Sequence, residues 1–362
     1  MLHRFAERSD APTISPMRGR DYRDLMKLGV IASIAHRLPP KNYGPWEQIA
    51  STLTEGFVAH GHEVTLFASA DSLTSARLHG TSPAGYEEDE SLDAKVNEAL
   101  HNAAAFERAS EFDLLVNHFD FMPLTYSRLV GTPMVTTIHG FSSARVVPVY
   151  QAYDDIGHYV AISDADRHPA LSYAATIHHG LDPAEFTFVP AMGDYLLFLG
   201  RIHPDKGTHL AVEVARLAGL PLIIAGIVQD EDYFRAAVLP HVDGVQVSYR
   251  GPVGPADRDA LLGGARALLH LISFAEPFGL SVIEALACGT PVIATPLGSL
   301  PELVTSGSTG FLVPDVTAAV AAVAQLGQLD RQICRREVLR RFTAERMVED
   351  YLRLFEHILC LG

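Results

Sequence analysis

The segment FAEPFGLSVIEALACGTPVIA, Phe274–Ala294, is almost wholly apolar, yet it carries two carboxylates, Glu276 and Glu284. The apolar run LLHLIS before it reads as a strand. A loop then holds Glu276, a helix opens near Phe278 to Leu280, and TPVIAT reads as the next strand. Strand, helix and strand in that order imply two parallel strands joined by a crossover. Glu284 lies four residues after Leu280, one turn deeper on the same side of the helix. The helix is apolar all round, through Leu280, Val282, Ile283, Leu286 and Ala287, so it is buried on most faces. A carboxylate there needs a partner, because burying an unpaired charge costs several kcal/mol. Two partners fit: a structural arginine, or a ligand with several hydroxyls such as a ribose. Glu276, in the loop, would meet another part of the same ligand.

The same grammar extends in both directions. KLGVIASI is a buried strand, PWEQIASTLTEGFVAHG a helix closed by Gly61 as a C′ glycine, and HEVTLFAS the next strand. Further strands follow at DLLVNHF, PMVTTIHG, HYVAIS and AATIHHG. The series restarts at YLLFLGRI. It continues through the helix THLAVEVARLAG, the strand PLIIAGIV, the segment VQVSYRGPV and the helix ADRDALLGGARA to the opening segment. Two such series imply two doubly wound α/β sheets, with the boundary in LDPAEFTFVPAMGD. Open sheets of this kind bind ligands at the carboxyl ends of their strands. Strand ends are therefore where function should be sought.

Composition narrows the classes of partner. Lys and Arg number 28 against 43 Asp and Glu, a formal charge of −15, which disfavours nucleic acid and anionic membranes. One basic stretch, RQICRREVLRRFTAERM, carries six arginines. It reads as a solvated helix face, with at most a weak peripheral membrane contact as the alternative. Cys288, Cys334 and Cys360 form no CxxC pair and no zinc spacing, which points to a reducing, cytoplasmic setting. No apolar run reaches the ~18 residues of a spanning helix. Residues 1–25 have no apolar signal-peptide core and read as a polar, loosely ordered extension before MKLGVIAS.

Arg201 and Lys206, in GRIHPDKG, stand between a strand end and a helix start. A helix N-terminus with an Arg fork and a Lys point charge suits a diphosphate; ordinary surface pairing is equally open. His139 ends PMVTTIHG and faces the same side, where a functional role and an ordinary structural histidine are equally open. His178 and His179, adjacent on a strand, would point to opposite faces and could not share a metal. The acidic clusters QDEDYF and DAD read as solvated loops. Gly44, in the loop HRLPPKNYGPWEQ, allows close backbone approach. There is no GxGxxG, no P-loop and no HExxH, so nicotinamide, P-loop and zinc-protease chemistry find no support.

Taken together, these residues resemble the retaining glycosyltransferases of family 4, which have the two-domain GT-B fold. EPFGLSVIEALACGTPVIAT resembles the family's Glu-x7-Glu signature, and GRIHPDKG its diphosphate-binding turn. IHHGLDPAEF, AHGHEVTLFAS and GSLPELV…GSTGFLV also follow the family pattern, and FTAERMVEDYLRLFEHIL its C-terminal helix. The resemblance implies an acceptor domain over residues 26–185, a nucleotide-sugar donor domain over 186–342, and a helix over 343–362 crossing back to the first domain. It implies that Arg201 and Lys206 hold the donor diphosphate, with backbone N–H groups from Phe278, Gly279 and Leu280 offered to sugar and phosphate. Glu284 would take the ribose, Glu276 the transferred sugar, and Val253 the nucleobase. His139 would sit at the reacting centre, and Gly44 would line the donor or acceptor site. The family commonly has Gly-Gly where this chain has Gly44-Pro45, which removes one backbone donor.

The implied reaction moves a hexose from a UDP- or GDP-sugar to a hydroxyl of a glycan, glycolipid or small metabolite, without cofactor or obligatory metal. A sugar-nucleotide epimerase and a non-catalytic nucleotide-sugar binding protein are the alternatives. A glycoside hydrolase also uses two carboxylates, but it has no need of the phosphate-type cations. No oligomeric state follows from the sequence.

Overall fold

The computed structural model describes residues 25–41 and 44–361. The extension expected over residues 1–25 lies, apart from Leu25, outside the described residues. Two parallel sheets carry the fold. The first contains β1 (Lys27–Ala32), β2 (Glu63–Ser69), β3 (Arg77–Ser82), β4 (Leu114–His118), β5 (Met134–Ile138), β6 (His158–Ala161) and β7 (Tyr173–Thr176), in the order β3-β2-β1-β4-β5-β6-β7. The second contains β8 (Tyr195–Leu199), β9 (Leu222–Ala225), β10 (Val247–Tyr249), β11 (Ala265–His270), β12 (Val292–Ala294) and β13 (Gly310–Leu312), in the order β10-β9-β8-β11-β12-β13. Both are doubly wound: the strand order reverses beside β1 and beside β8, and each reversal opens a crevice at the carboxyl edge.

The continuous apolar runs follow from this topology, since helices cover both faces of a parallel sheet. In β1 only Lys27 is exposed, and the five residues after it are buried. Leu28 and Val30 pack on one face with Leu53 and Phe57, while Ile31 packs on the other with Phe67 and Phe112. The second sheet has the same two-sided core, with Leu197 and Leu268 on one face and Phe198 and Leu269 on the other.

The last helix, Ala344–Leu361, returns to the first sheet and joins its core through Met347, Val348, Tyr351 and Phe355. Phe355 meets Phe57 edge-on with ring centroids 5.4 Å apart, and the Tyr351 hydroxyl lies 2.7 Å from Thr137 Oγ1. Among the described residues no helix is long and apolar enough to cross a membrane.

Several sequence expectations need correction. The strand AATIHHG ends at Thr176, so His178 and His179 lie beyond it. The chain leaves the sheet there because Leu181 bridges to Thr343 at the start of the returning helix. The helix ADRDALLGGARA stops at Gly264, and its last three residues begin β11. Edge strand β3 and the helix Ala94–Glu107 carry no clear apolar period; the helix buries His101 and Asn102 beside Ala105 and Phe106.

The arginine-rich stretch is not a plain solvated face. Arg331 is buried and donates to the carbonyls of Val189, Gly263 and Ala265 and to Thr290 Oγ1. Arg335 donates to the carbonyls of Pro183, Phe186 and Ala287. These side chains satisfy backbone oxygens of the segment between the sheets and of the second domain, which periodicity could not reveal.

Candidate functional site

The carboxyl edges of the two sheets face one cavity of about 400 Å³. All ten residues singled out from the sequence line it: Gly44, His139, Arg201, Lys206, Val253, Glu276, Phe278, Gly279, Leu280 and Glu284. They come from five separate strand ends or loops, which only the facing of the two sheets brings together.

The second domain supplies the charged wall. Beyond β8 a short turn, Pro204–Lys206, leads into the helix Thr208–Ala218 and places Lys206 over the Phe274 ring, 4.6 Å from its centroid. Lys206 Nζ donates to Glu276 Oε2 at 2.7 Å. His270, the last residue of β11, reaches the same oxygen at 3.0 Å. Burial raises the Glu276 pKa, but the His270 and Lys206 contacts outweigh it and hold the carboxyl at about 2. Arg201 bonds Gln229 Oε1 rather than a carboxylate.

The helix of the opening segment runs from Leu280 to Ala287, behind Gly279 in a left-handed conformation at its N-cap. No side chain caps this end, so its first N–H groups are available at the cavity wall. Glu284, one turn on, pairs with Arg258, Nη1 to Oε1 at 3.2 Å. Burial lifts the Glu284 pKa, Arg258 offsets part of that, and Glu185 adds to the rise. The structural arginine left open by the sequence therefore exists, and it lines the cavity beside Glu284.

The first domain supplies a row of histidines. His118, at the end of β4, lies 3.0 Å from His139 through Nδ1 and Nε2. The other His139 nitrogen, Nδ1, lies 3.3 Å from His179 Nε2. Burial holds all three rings well below ordinary histidine values, with His118 and His179 at about 3, and repulsion from neighbouring histidines adds to the lowering of His139 and His179. They are therefore neutral at pH 7. Both His139 nitrogens are engaged by neighbours, and its ring face stacks on Trp46 at 5.5 Å. His139 thus faces the cavity as part of a chain, not as a lone side chain. His178 turns away to pair with Glu302 at 2.9 Å, so the adjacent histidines do diverge, though off the strand. Among the described residues no cluster of three or more His, Cys, Asp or Glu could hold a metal.

Gly44 has φ +153°, and a Cβ there would come within 2.9 Å of Pro40 and of Glu47 Oε2. Pro45 opens the following helix, where a missing N–H is tolerated. The domains also touch directly. Ser163 Oγ donates to the Pro277 carbonyl at 2.7 Å, and Glu302 accepts from the N–H groups of Asp164 and Ala165.

Sequence reading missed Arg258, His270, His118 and Trp46. His118 stands near the end of DLLVNHF, so the rule that singled out His139 could have found it; His270 read as mid-strand in LLHLIS, and it becomes terminal only because β11 runs from Ala265 to His270. Arg258 and Trp46 carry no local signal.

Residues 185–339 match the family described as Glycosyl transferases group 1. The D-inositol 3-phosphate glycosyltransferase of Mycolicibacterium smegmatis is 33% identical over 171 residues, covering 42% of this chain and 38% of that protein. The chain thus spans about two fifths of that relative's length. Among solved structures, sucrose-phosphate synthase from Thermosynechococcus elongatus superposes with a TM-score of 0.77 at 19% identity, over 93% of this chain and all of that one. Anabaena Alr3699/HepE, in complex with UDP and glucose, superposes with a TM-score of 0.71 at 17% identity, over 92% of this chain and all of that one. The fold is therefore GT-B: two Rossmann-like α/β domains facing across a cleft.

Proposed function

We propose that the chain is a retaining glycosyltransferase of the family-4 type, moving a hexose from a nucleoside diphosphate sugar to a hydroxyl acceptor. The observation that carries this reading is the order of groups along one wall. Glu276 with Lys206, the open N-terminus behind Gly279, and Glu284 with Arg258 follow one another as hydroxyl, phosphate and ribose sites would. The match of residues 185–339 to the glycosyltransferase group and the UDP and glucose bound by a protein of the same fold support it.

In this reading the donor diphosphate lies against Lys206, Arg201 and the N–H groups of Gly279 and Leu280. Glu284 holds ribose hydroxyls, Glu276 sugar hydroxyls, and Val253 borders the base. As the bond from C1 to the phosphate oxygen breaks, these cations and dipoles stabilise the charge on the leaving group, so no metal is required. The acceptor oxygen bonds to C1 from the same face, and its proton passes to the departing phosphate oxygen. The His139 row and Trp46 wall the first-domain side of the reacting centre, and Gly44 borders it. Buried Cys288 and Cys334, both free thiols, fit a cytoplasmic setting.

A thermal-shift screen against UDP- and GDP-sugars tests donor class. A donor at 100 times its dissociation constant adds about 2.7 kcal/mol. Turnover with chelator present, with and without hydroxyl acceptors, separates transfer from epimerisation and from binding alone. Lys206→Ala should lower kcat/KM by about a hundredfold or more; an unchanged rate removes the diphosphate assignment.

A further inference from the structure

Glu276 has two donors on one oxygen, and the proposed reaction asks one of them to leave. Lys206 Nζ and His270 Nε2 both reach Oε2, at 2.7 and 3.0 Å. Lys206 is also the cation placed to meet a diphosphate. Its ammonium is a compact point charge on a flexible four-carbon stem, and it can turn from a carboxylate to a phosphate. Glu276 cannot follow: its side chain is only 11% exposed, and its backbone carbonyl is fixed by the Ser299 N–H. Once Lys206 turns, an otherwise unpaired buried carboxylate would remain, which is strongly unfavourable.

We propose that His270 is the positioning residue that holds Glu276 in place when the donor diphosphate draws Lys206 away. His270 is built for a fixed role. It closes β11 between β8 and β12, its side chain is 6% exposed, and its carbonyl accepts from the Thr295 N–H. It grips Oε2, which directs the other oxygen to ligand hydroxyls. His270 itself touches neither sugar nor phosphate in this arrangement; it acts through Glu276. The inference rests on the nucleotide-sugar reading of the site.

The test compares wild type, His270→Leu and His270→Gln by calorimetric titration with UDP-glucose and GDP-mannose, and with bare UDP and GDP. Leu removes the donor at similar volume, and Gln restores an N–H. The Leu variant should bind the wild type's preferred sugar nucleotide about tenfold or more weakly, the usual size of a lost hydrogen bond to a charged group. Its affinity for the bare diphosphate should fall by less than about threefold, because Glu276 serves the sugar. Gln should restore sugar-nucleotide binding to within about threefold. His270→Met, which adapts to irregular gaps, carries the same expectation if the Leu variant does not fold. Equal losses for both ligands, or wild-type binding of both, overturn the role of His270. A wild type that binds none of these sugar nucleotides overturns the reading of the site instead.

Discussion

Glu276 and Glu284 are eight residues apart and have different surroundings. Glu276 is held strongly ionised by His270 and Lys206, whereas burial leaves Glu284 easier to protonate, with Arg258 as its counter-charge. The proposed roles differ in the same way, and affinities should separate them. Glu276→Ala is expected to weaken sugar-nucleotide binding while leaving the bare nucleoside diphosphate nearly unaffected. Glu284→Ala is expected to weaken both, by about tenfold, because the ribose is common to both. Titration of the two variants with UDP and UDP-glucose, or the guanosine pair, checks this. At this scale the acids, Arg201 and Lys206 were legible as strand-end residues beside helix starts. Their partners were not: an ion pair such as Arg258–Glu284 leaves no periodic trace.

At the scale of elements, the helix Arg331–Arg341 shows how a charge pattern misleads. Six arginines between residues 331 and 346, five of them in this helix, suggest solvent, yet Arg331 serves four acceptor oxygens in the interior. Arg331→Ala would leave those oxygens unpaired and open a cavity, and should cost about 3–5 kcal/mol. Arg336, exposed and 3.7 Å from Asp330, should change stability by less than about 0.5 kcal/mol on replacement by alanine. Urea denaturation of the two variants measures the contrast. The strands and amphipathic helices were readable because a strand buried on both faces must be continuously apolar. The helix Ala94–Glu107 escaped because its buried side carries His101 and Asn102.

For the whole molecule, buried histidines set an acid limit. His101 is held at about 4, His118 and His179 at about 3, and burial lowers His139 as well. Each is depressed from an unfolded value near 6.5, so the unfolded chain takes up protons first as pH falls. The stability is fully present above about pH 6.5 and is lost progressively toward pH 3. As pH falls below about 6.5 the unfolded chain takes up protons that these four rings do not, so each of them adds to the loss of stability. Buried carboxyls work the other way: burial raises Asp120 and Glu284, and burial with Glu302 raises Asp166 to about 7, which is the one that reaches the range between pH 7 and pH 5.5. Thermal midpoints should therefore fall clearly between pH 7 and pH 5.5. His118→Asn and His179→Asn, which cannot charge, should each reduce the slope. An unchanged midpoint would contradict the neutral histidine row.

The sequence by itself determined the alternation of apolar runs and helices, hence two parallel sheets, and it marked which residues stand at strand ends. Those are local properties, because burial on a strand or helix shows in the spacing of apolar side chains. Only the tertiary structure decided which of those ends meet. The order β8-β11-β12 puts Lys206 beside His270 and Glu276, the order β4-β5-β6-β7 helps line up His118, His139 and His179, and the facing of the two sheets closes one cavity around both groups. Pairing between charges and rings depends on distances across the fold, and residues far apart in the chain carry no mark of those distances.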